Sequence, residues 1–522
     1  MYKKILSSGV LLLAISSLIS RILGLLRDKI FAHQFGALQA SSIFDLDAYY
    51  AAFRLPDFMF QLLIMGTVAS AFVPIFSGYF HTEKKEQAWE FLDTCITCLT
   101  TLLLGLGGVI FIFAPWIVPL LVPGFSPEKT ALTVHLTRIM LVSPIIFCIS
   151  SLYQSVENAA KKYFYFALAP ILYNLAIILA TVFFAPTYGV IAIAYGVVIG
   201  AICHAAIQWP AVKKLGYKFQ PRFNWKSKDF RQFIKLAMPR IFGIGVTQFN
   251  VLVDTIIAST LVTGSITSFN YAINLESLPL GLIGVSISIV AFGIFSEQVA
   301  KNDHEGMLKT LRQKLENIAV YIIPATAGMI LLKEEIINVV LKGGKFTSDD
   351  VNLTASLLGI LSLALLAQSI IPLCSRFFYA KRDTYTPVII GLIGFGTNII
   401  ASLYFAKFLH WGVMGIAAGM VLSSVLQALL LLRAIKEKQH GTILTIEEIK
   451  KYKQIILATV VMSLGVWVLQ QMTKLIPLSG MIISLIILLI LGGAGVWIYF
   501  YSLKRLNFPD YRKYISTKIS TL

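Results

Sequence analysis

Charge is scarce in this sequence: Asp, Glu, Lys and Arg supply 13% of its 522 residues, while apolar residues supply 57%. A soluble fold, at about 25% charged residues, has no interior large enough to hide so much apolar side chain, so the chain requires lipid as its solvent. Long polar stretches are missing too. Apolar runs of the kind that cross a bilayer recur end to end, as at Leu99–Leu121, Ile139–Tyr153, Ala167–Phe184 and Met481–Tyr501, and leave no room for a long soluble domain.

Cysteine is also rare, at five residues. Cys95 and Cys98 form a CxxC inside an apolar helical run, with no second pair and no paired histidines to complete a metal site, so all five read as small hydrophobes. The soluble catalytic signatures are absent: there is no Walker loop, no GxSxG and no HExxH. Work done by this chain must draw on an ion gradient, the membrane potential or the gradient of its own cargo. Lys3 and Lys4 ahead of Leu11–Leu13 imitate a signal peptide, but the run continues through Ser16, Ser17, Ser20 and Arg21 without a small-residue cleavage site, so a retained N-terminus is expected.

Acidic residues are few enough to leave a net charge of +18. The cations sit in alternate loops: Lys84 and Lys85, Lys161 and Lys162, Lys213–Lys235, Lys301–Lys314, Lys381 and Arg382, Arg433–Lys453 and Lys504–Lys518. The loops near Pro123, Pro186, Thr263 and His410 carry few. By the positive-inside rule this pattern predicts a multi-pass membrane protein with both termini on the cytoplasmic side, and no nucleic-acid partner.

Apolar spans begin near residues 8, 46, 88, 131, 163, 190, 231, 265, 308, 350, 384, 411, 454 and 479, which predicts an all-α membrane protein of about fourteen helices. Leu332–Asp350 reads as a short amphipathic piece on the outer surface. The chain also repeats itself at an offset near 220 residues. Ser20-Arg-Ile-Leu-Gly-Leu25 returns as Pro239-Arg-Ile-Phe-Gly-Ile244, Leu55-Pro56 as Leu278-Pro279, and Ala71-Phe72 as Ala291-Phe292. Both copies start on the same side, so the repeat is parallel, with two lobes of six helices around a central cavity. The expected division is 1–220 for the first lobe, 221–440 for the second, and 441–522 for two additional helices.

Ionisable residues inside spans cost at least about 2.5 kcal/mol each at the helix centre, so they normally face a cavity or pathway. Here they gather in the first two helices. Arg21 and Asp28 lie seven residues apart on one helix face, with Arg27 beside them, and Asp47 and Arg54 repeat that spacing. Pro56, two residues after Arg54, is expected to bend the backbone. Arginines in excess over acids form a cationic cavity whose guanidinium forks match phosphate oxygens, which implies an anionic, phosphorylated cargo. Structural ion pairing of the same groups is the competing reading. The second lobe offers Arg240, Asp254, Asn274 and Glu276. Asp254 and Asp383, helped by Thr397, are candidate oxygen ligands for a monovalent cation, although Asp383 equally fits an N-cap.

Several motifs carry a resemblance. Ser20-Arg-Ile-Leu-Gly-Leu-Leu-Arg-Asp28, Phe35-Gly-Ala37, Asp47-Ala-Tyr-Tyr-Ala-Ala-Phe-Arg-Leu-Pro56, Ala71-Phe-Val-Pro74, Asn158-Ala159, Ala169-Pro170 with Asn174, Tyr271-Ala272, and Phe378-Tyr-Ala with Asp383-Thr384 follow one another along nearly the whole chain. This series resembles the MurJ (MviN) lipid II flippases of the multidrug/oligosaccharidyl-lipid/polysaccharide exporter superfamily. The resemblance implies a non-enzymatic, alternating-access flippase that carries the undecaprenyl-pyrophosphate-linked peptidoglycan precursor to the outer leaflet, where the cell-wall synthesis machinery acts. It implies substrate contacts from Arg21, Arg27, Asp28 and Arg54, a polyprenyl-tail groove along Val460–Tyr501, and a sodium site at Asp254, Asp383 and, loosely, Thr397. Three positions depart from the family pattern: Asn274 replaces the arginine of Tyr-Ala-x-Arg-Leu, Met65 an acid, and Tyr379 a residue of the ion site. Arg240, which the repeat aligns with Arg21, is the expected replacement for the missing charge. The rival readings are an exporter of another polyprenyl-linked polysaccharide, a multidrug/cation antiporter, and a membrane glycosyltransferase.

Overall fold

The computed structural model describes residues 2–38, 44–65, 71–82, 84–439, 445–474, 480–509 and 511–515. The described residues are helical nearly throughout, and they divide into two compact units, 1–267 with 343–346, and 268–342 with 347–522.

The first unit contains α1 (Tyr2–Phe35), α2 (Leu46–Phe60), α3 (Val73–Phe80), α4 (Lys85–Leu121), α5 (Pro127–Met140), α6 (Val142–Ala159), α7 (Tyr163–Tyr188), α8 (Val190–Ala206), α9 (Trp209–Lys214) and α10 (Lys228–Ser259). Its core is aromatic: Phe72, Phe76 and Phe80 stack in sequence, and Phe72 also stacks on Phe91 of α4. Helices α7 and α8 approach closely through two glycines four residues apart. A Cβ on Gly196 would stand 2.7 Å from that of Ala180, and one on Gly200 would stand 2.8 Å from the Tyr173 ring. Only small residues permit such spacing between membrane helices, whose association lipid does nothing to drive.

α11 (Ser265–Pro279) leads into the second unit, which holds α12 (Ser286–Ala300), α13 (His304–Leu331), α14 (Lys333–Val340), α15 (Ser348–Ser362), α16 (Leu365–Ala380), α17 (Tyr385–Leu403), α18 (Val413–Gln439), α19 (Ile446–Lys474), α20 (Met481–Arg505) and α21 (Tyr511–Ile515). Here α17 and α18 meet as α7 and α8 do. A Cβ on Gly415 would run into Ala406, and one on Gly419 into Ser402. The two glycine pairs are 219 residues apart, the offset of the sequence repeat.

Among the described residues ten helices are long and apolar enough to cross a membrane, or twelve if two bent pairs each count as one span. The other two expected spans begin near 8 and 46, where α1 and α2 carry the buried charges. Predicted and observed starts coincide for α2, α7, α8 and α11. They differ most in the C-terminal half at α19, which begins at Ile446 rather than near 454. The physical reason is a capping box: Thr445 and Glu448 exchange bonds between side chain and backbone, launching the helix about two polar turns before its apolar run. The amphipathic piece expected at 332–350 is the short α14, which buries Ile337 and Val339, followed by a turn and by the capping box of Thr347 and Asp350 that opens α15.

The compact units do not follow the repeat. α10, first helix of the second copy, belongs with the first unit because it packs on α4 and α2. Both copies nevertheless share one irregularity. After Pro56 the helix widens into a π segment at Gln61–Met65, and after Pro279 another runs over Leu280–Val285. The backbone departure expected at Pro56 therefore occurs about one turn later than the proline and recurs in the duplicate.

Candidate functional site

Arg27 is the best-anchored cation within the first unit. Its Nε and Nη2 both donate to Asp28 Oδ1, at 3.1 and 2.9 Å, and Nη1 reaches Asn174 Oδ1 at 3.4 Å. Asn174 in turn donates to Ser20 Oγ at 3.3 Å, so one amide on α7 holds both Arg27 and the residue before Arg21. The Arg27 side chain keeps 23% of its surface exposed while Asp28 keeps 6%. Three of the five guanidinium N–H groups are engaged in these bonds, and on a partly exposed side chain the remaining two can still receive an anionic oxygen. The structure thus joins Asp28 to its neighbour Arg27, an ion pair of the kind named as the competing reading. Arg21 is half-buried and, among the described residues, makes no ion pair.

Arg54 is half-buried on α2 and donates Nε–H to Thr255 Oγ1 of α10 at 3.0 Å. Asp57 and Asp254 act on it as opposing charges, and Tyr50 lies in electrostatic reach of both Arg54 and Arg27. Tyr50 is thus a neighbour common to both arginines within this unit. Asp254, expected as a cation ligand, is buried there beside an arginine.

Asp47 does not join Arg54. Its carboxylate accepts the amides of Gly264 at 2.7 Å and Thr267 at 2.8 Å, the Thr267 hydroxyl at 2.6 Å, and Lys129 at 3.4 Å. Lys129 also pairs with Asp45 at 2.7 Å. Burial and the nearby Asp47 push the Asp45 carboxyl upward, and Lys129 counters them. A cavity of about 630 Å³ lies alongside, lined by Asp45, Asp47, Glu128 and Lys129 among others. Asp47 therefore acts here as a fastening between the start of α2 and the turn before α11. Arg240 is exposed on α10. The side chain of Met65 lies outside what the structure describes.

In the second unit Asn274 is half-buried on α11, and its carbonyl accepts the Ser277 hydroxyl at 2.7 Å. Asp383 accepts the amide and hydroxyl of Thr386 at 3.0 and 2.7 Å, which is the capping geometry anticipated as its alternative role. Lys438 lies 2.7 Å from the same carboxylate and 2.7 Å from the Thr386 hydroxyl. Burial raises the Asp383 carboxyl, but these bonds outweigh it and bring it down to about 2. Thr397 donates to the Ile393 carbonyl, and Tyr379 is exposed. The Lys438 ammonium thus already balances the Asp383 carboxylate.

Three contributors escaped the sequence reading. Thr255 and the bridging role of Asn174 depend on contacts 201 and 147 residues apart, which no local pattern encodes. Arg376, the only arginine of α16, donates to the Val285 carbonyl at 3.5 Å and to Ser288 Oγ, bracing the π segment of the second copy. Its charge within an apolar run was the available signal.

Comparison with known proteins places this geometry in a family. A family model described as "Lipid II flippase MurJ" matches residues 31–487. A probable lipid II flippase MurJ of Vibrio cholerae is 29% identical over 444 residues, covering 83% of each chain. One from Buchnera aphidicola subsp. Acyrthosiphon pisum is 30% identical over 467 residues, covering 88% of this chain and 89% of the other. A solved structure titled "Lipid II flippase MurJ, inward closed conformation" superposes with a TM-score of 0.78 at 28% identity, over 97% of this chain and all of that one. An inward-facing multidrug resistance transporter of the MATE family shares the fold alone, at 14% identity and a TM-score of 0.68. With its duplicated helices and its arginines held on α1 and α2, the chain belongs to the MurJ family.

Proposed function

We propose that this protein translocates lipid II, the undecaprenyl-pyrophosphate-linked peptidoglycan precursor, from the inner to the outer leaflet and so supplies the cell-wall synthesis machinery. The observation that carries the reading is Arg27, locked by Asp28 and Asn174 yet still partly exposed, inside a helix where an unneeded charge would be costly. Arg21, Arg27 and Arg54 take the diphosphate, and Asp28 orients Arg27. Asp47 supports the cavity by fastening α2, and Asn274 and Arg240 contribute to headgroup contact from α11 and α10. Alternating access then exposes the headgroup on the far side.

The lipid tail stays in the bilayer along the apolar faces of α13, α19 and α20. A cavity of about 240 Å³ there is lined by Pro324, Gly328, Met462, Val466 and Gly495, and a second of about 580 Å³ by Ala327, Val460, Leu464 and Trp467. Both termini are cytoplasmic in this reading, and no chemical reaction is involved. With Lys438 already at Asp383, the membrane potential acting on the charged cavity is the favoured drive, so replacing sodium by choline at fixed potential leaves transport unchanged.

Complementation of a strain depleted of its own lipid II flippase tests the assignment. Rescue by the wild type and failure of a correctly inserted Arg27→Ala variant are expected. Failure of the wild type despite good membrane expression would shift the cargo to another polyprenyl-linked glycan. A membrane glycosyltransferase would instead make product when given lipid II in detergent.

A further inference from the structure

The stretch between α9 and α10 is neither helix nor free loop. It lies along one face of α4, held at three successive turns. Tyr217 Oη donates to Asp93 Oδ1 at 2.6 Å, the Gln220 amide reaches the same oxygen at 3.3 Å, and the Arg222 amide donates to Thr97 Oγ1 at 3.2 Å. The Arg222 guanidinium closes on Glu90 at 2.6 Å. Glu90, Asp93 and Thr97 share a helix face by their spacing. The strap is therefore an extended segment with a fixed backbone, and Tyr217 is buried beneath it.

What it turns outward is unusual for a polar connection. Phe219, Phe223 and Trp225 are 46%, 62% and 56% exposed. Lys218 and Lys226 stand among them, also exposed, and Lys226 lies 5.4 Å from the Trp225 ring centre. From Lys213 to Lys235 there are eight Lys and Arg residues and one acid, Asp229, whose carboxylate accepts the Tyr79 hydroxyl. Among the described residues only Arg222 of these cations is in an ion pair.

The height of the strap on α4 decides what these groups meet. Exposed large apolar side chains on α4 begin at Leu102 and continue through Leu104, Leu106 and Val109, marking where acyl chains start. Thr97, the strap's last anchor, is five residues earlier, or about 7 Å along the axis at 1.5 Å per residue. Aromatic rings flanked by cations at that level are in the headgroup layer, where such rings partition and where cations meet lipid phosphates.

We propose that residues 217–228 form a headgroup-binding strap that selects anionic phospholipid over zwitterionic phospholipid. Phe219, Phe223 and Trp225 seat in the interface, and Lys218, Lys226 and Lys228 engage the phosphates. Because Ser227 caps α10 directly after the strap, with its Oγ accepting the Phe230 amide at 3.2 Å, lipid held there fixes where α10 begins. α10 carries Thr255, the partner of Arg54, so leaflet composition bears on the arginine site through one helix. The inference does not depend on the identity of the cargo.

Trp225 provides its own reporter once the emission of a Trp225→Phe variant is subtracted from that of the wild type. The full chain is reconstituted in bilayers containing phosphatidylcholine or phosphatidylglycerol brominated near the headgroup end of the acyl chains. Quenching of the Trp225 component is expected to be about twofold or more greater with brominated phosphatidylglycerol, and high salt should remove the difference. The Lys218→Gln/Lys226→Gln/Lys228→Gln variant should quench equally with both lipids. Equal quenching of the wild type by the two lipids would overturn the anionic selectivity, and no quenching by either would overturn the membrane contact itself.

Discussion

Arg54 and Thr255, 201 residues apart, are joined by a 3.0 Å hydrogen bond from the arginine Nε to the threonine hydroxyl. The bond takes the Nε–H of the guanidinium and sets the direction of its plane. Arg54→Ala should abolish transport, and Arg54→Lys should recover only part of it, since an ammonium cannot serve Thr255 and a phosphate in one plane. Thr255→Val should cost roughly threefold to tenfold, the equivalent of one hydrogen bond. Transport in reconstituted vesicles measures all three.

Asp47 should matter most to stability. Its carboxylate receives two amides, a hydroxyl and a lysine in a buried setting. Asp47→Ala is expected to destabilise by about 3–5 kcal/mol, because Lys129 and two amides lose a buried anionic partner. Thermal unfolding in detergent reads this directly. An unchanged melting temperature would mean the fastening is dispensable.

Asp383 gives a pH dependence whose sign follows from its depressed carboxyl. Held near 2 in the folded protein, against about 3.9 for a free aspartate, the group adds stability that is fully present above about pH 4 and drains away as pH falls toward its folded value. The Asp383→Asn variant should therefore melt below the wild type at neutral pH and converge with it near pH 2. The gap should be modest, since Lys438 is half exposed.

Gly200 tests the close approach of α7 and α8. Its added Cβ would lie 2.8 Å from the Tyr173 ring, and Tyr173 immediately precedes Asn174. Gly200→Ala should cost about 1–3 kcal/mol of stability. Transport should fall further than that loss explains, because displacing Tyr173 disturbs the amide that holds Arg27. Gly105→Ala, at an exposed helical position of α4 with open space, serves as the comparison at a glycine with no close neighbour.

Much of the fold could be read from the chain because membrane helices announce themselves by long apolar runs, and the duplication by short matching words. The π segments show how far such reading reaches. Pro56 and Pro279 mark the irregularity, but not its π form, its differing distance from the two prolines, or the contact that Arg376 makes with its second copy. The site was legible only as a collection of charges. Helix spacing put Arg21 and Asp28 on one face and Asp47 and Arg54 on another, and it named no partners; these are Arg27 for Asp28, Thr255 for Arg54, and Gly264 and Thr267 for Asp47. Periodicity reports which groups share a helix face. It carries no information on what another helix brings to that face.

The glycine contacts of α7 with α8 and of α17 with α18 show what duplication preserved. The ancestral half kept the same clasp in both descendants, two glycines in a row of four, while the charges lining the two halves drifted apart. Arginines accumulated at Arg21, Arg27 and Arg54 in one, and an amide settled at Asn274 in the other. Mechanical parts therefore match between the two copies of this chain where chemical parts differ. A relative with altered cargo should differ first in the lining of one half, with its clasps intact.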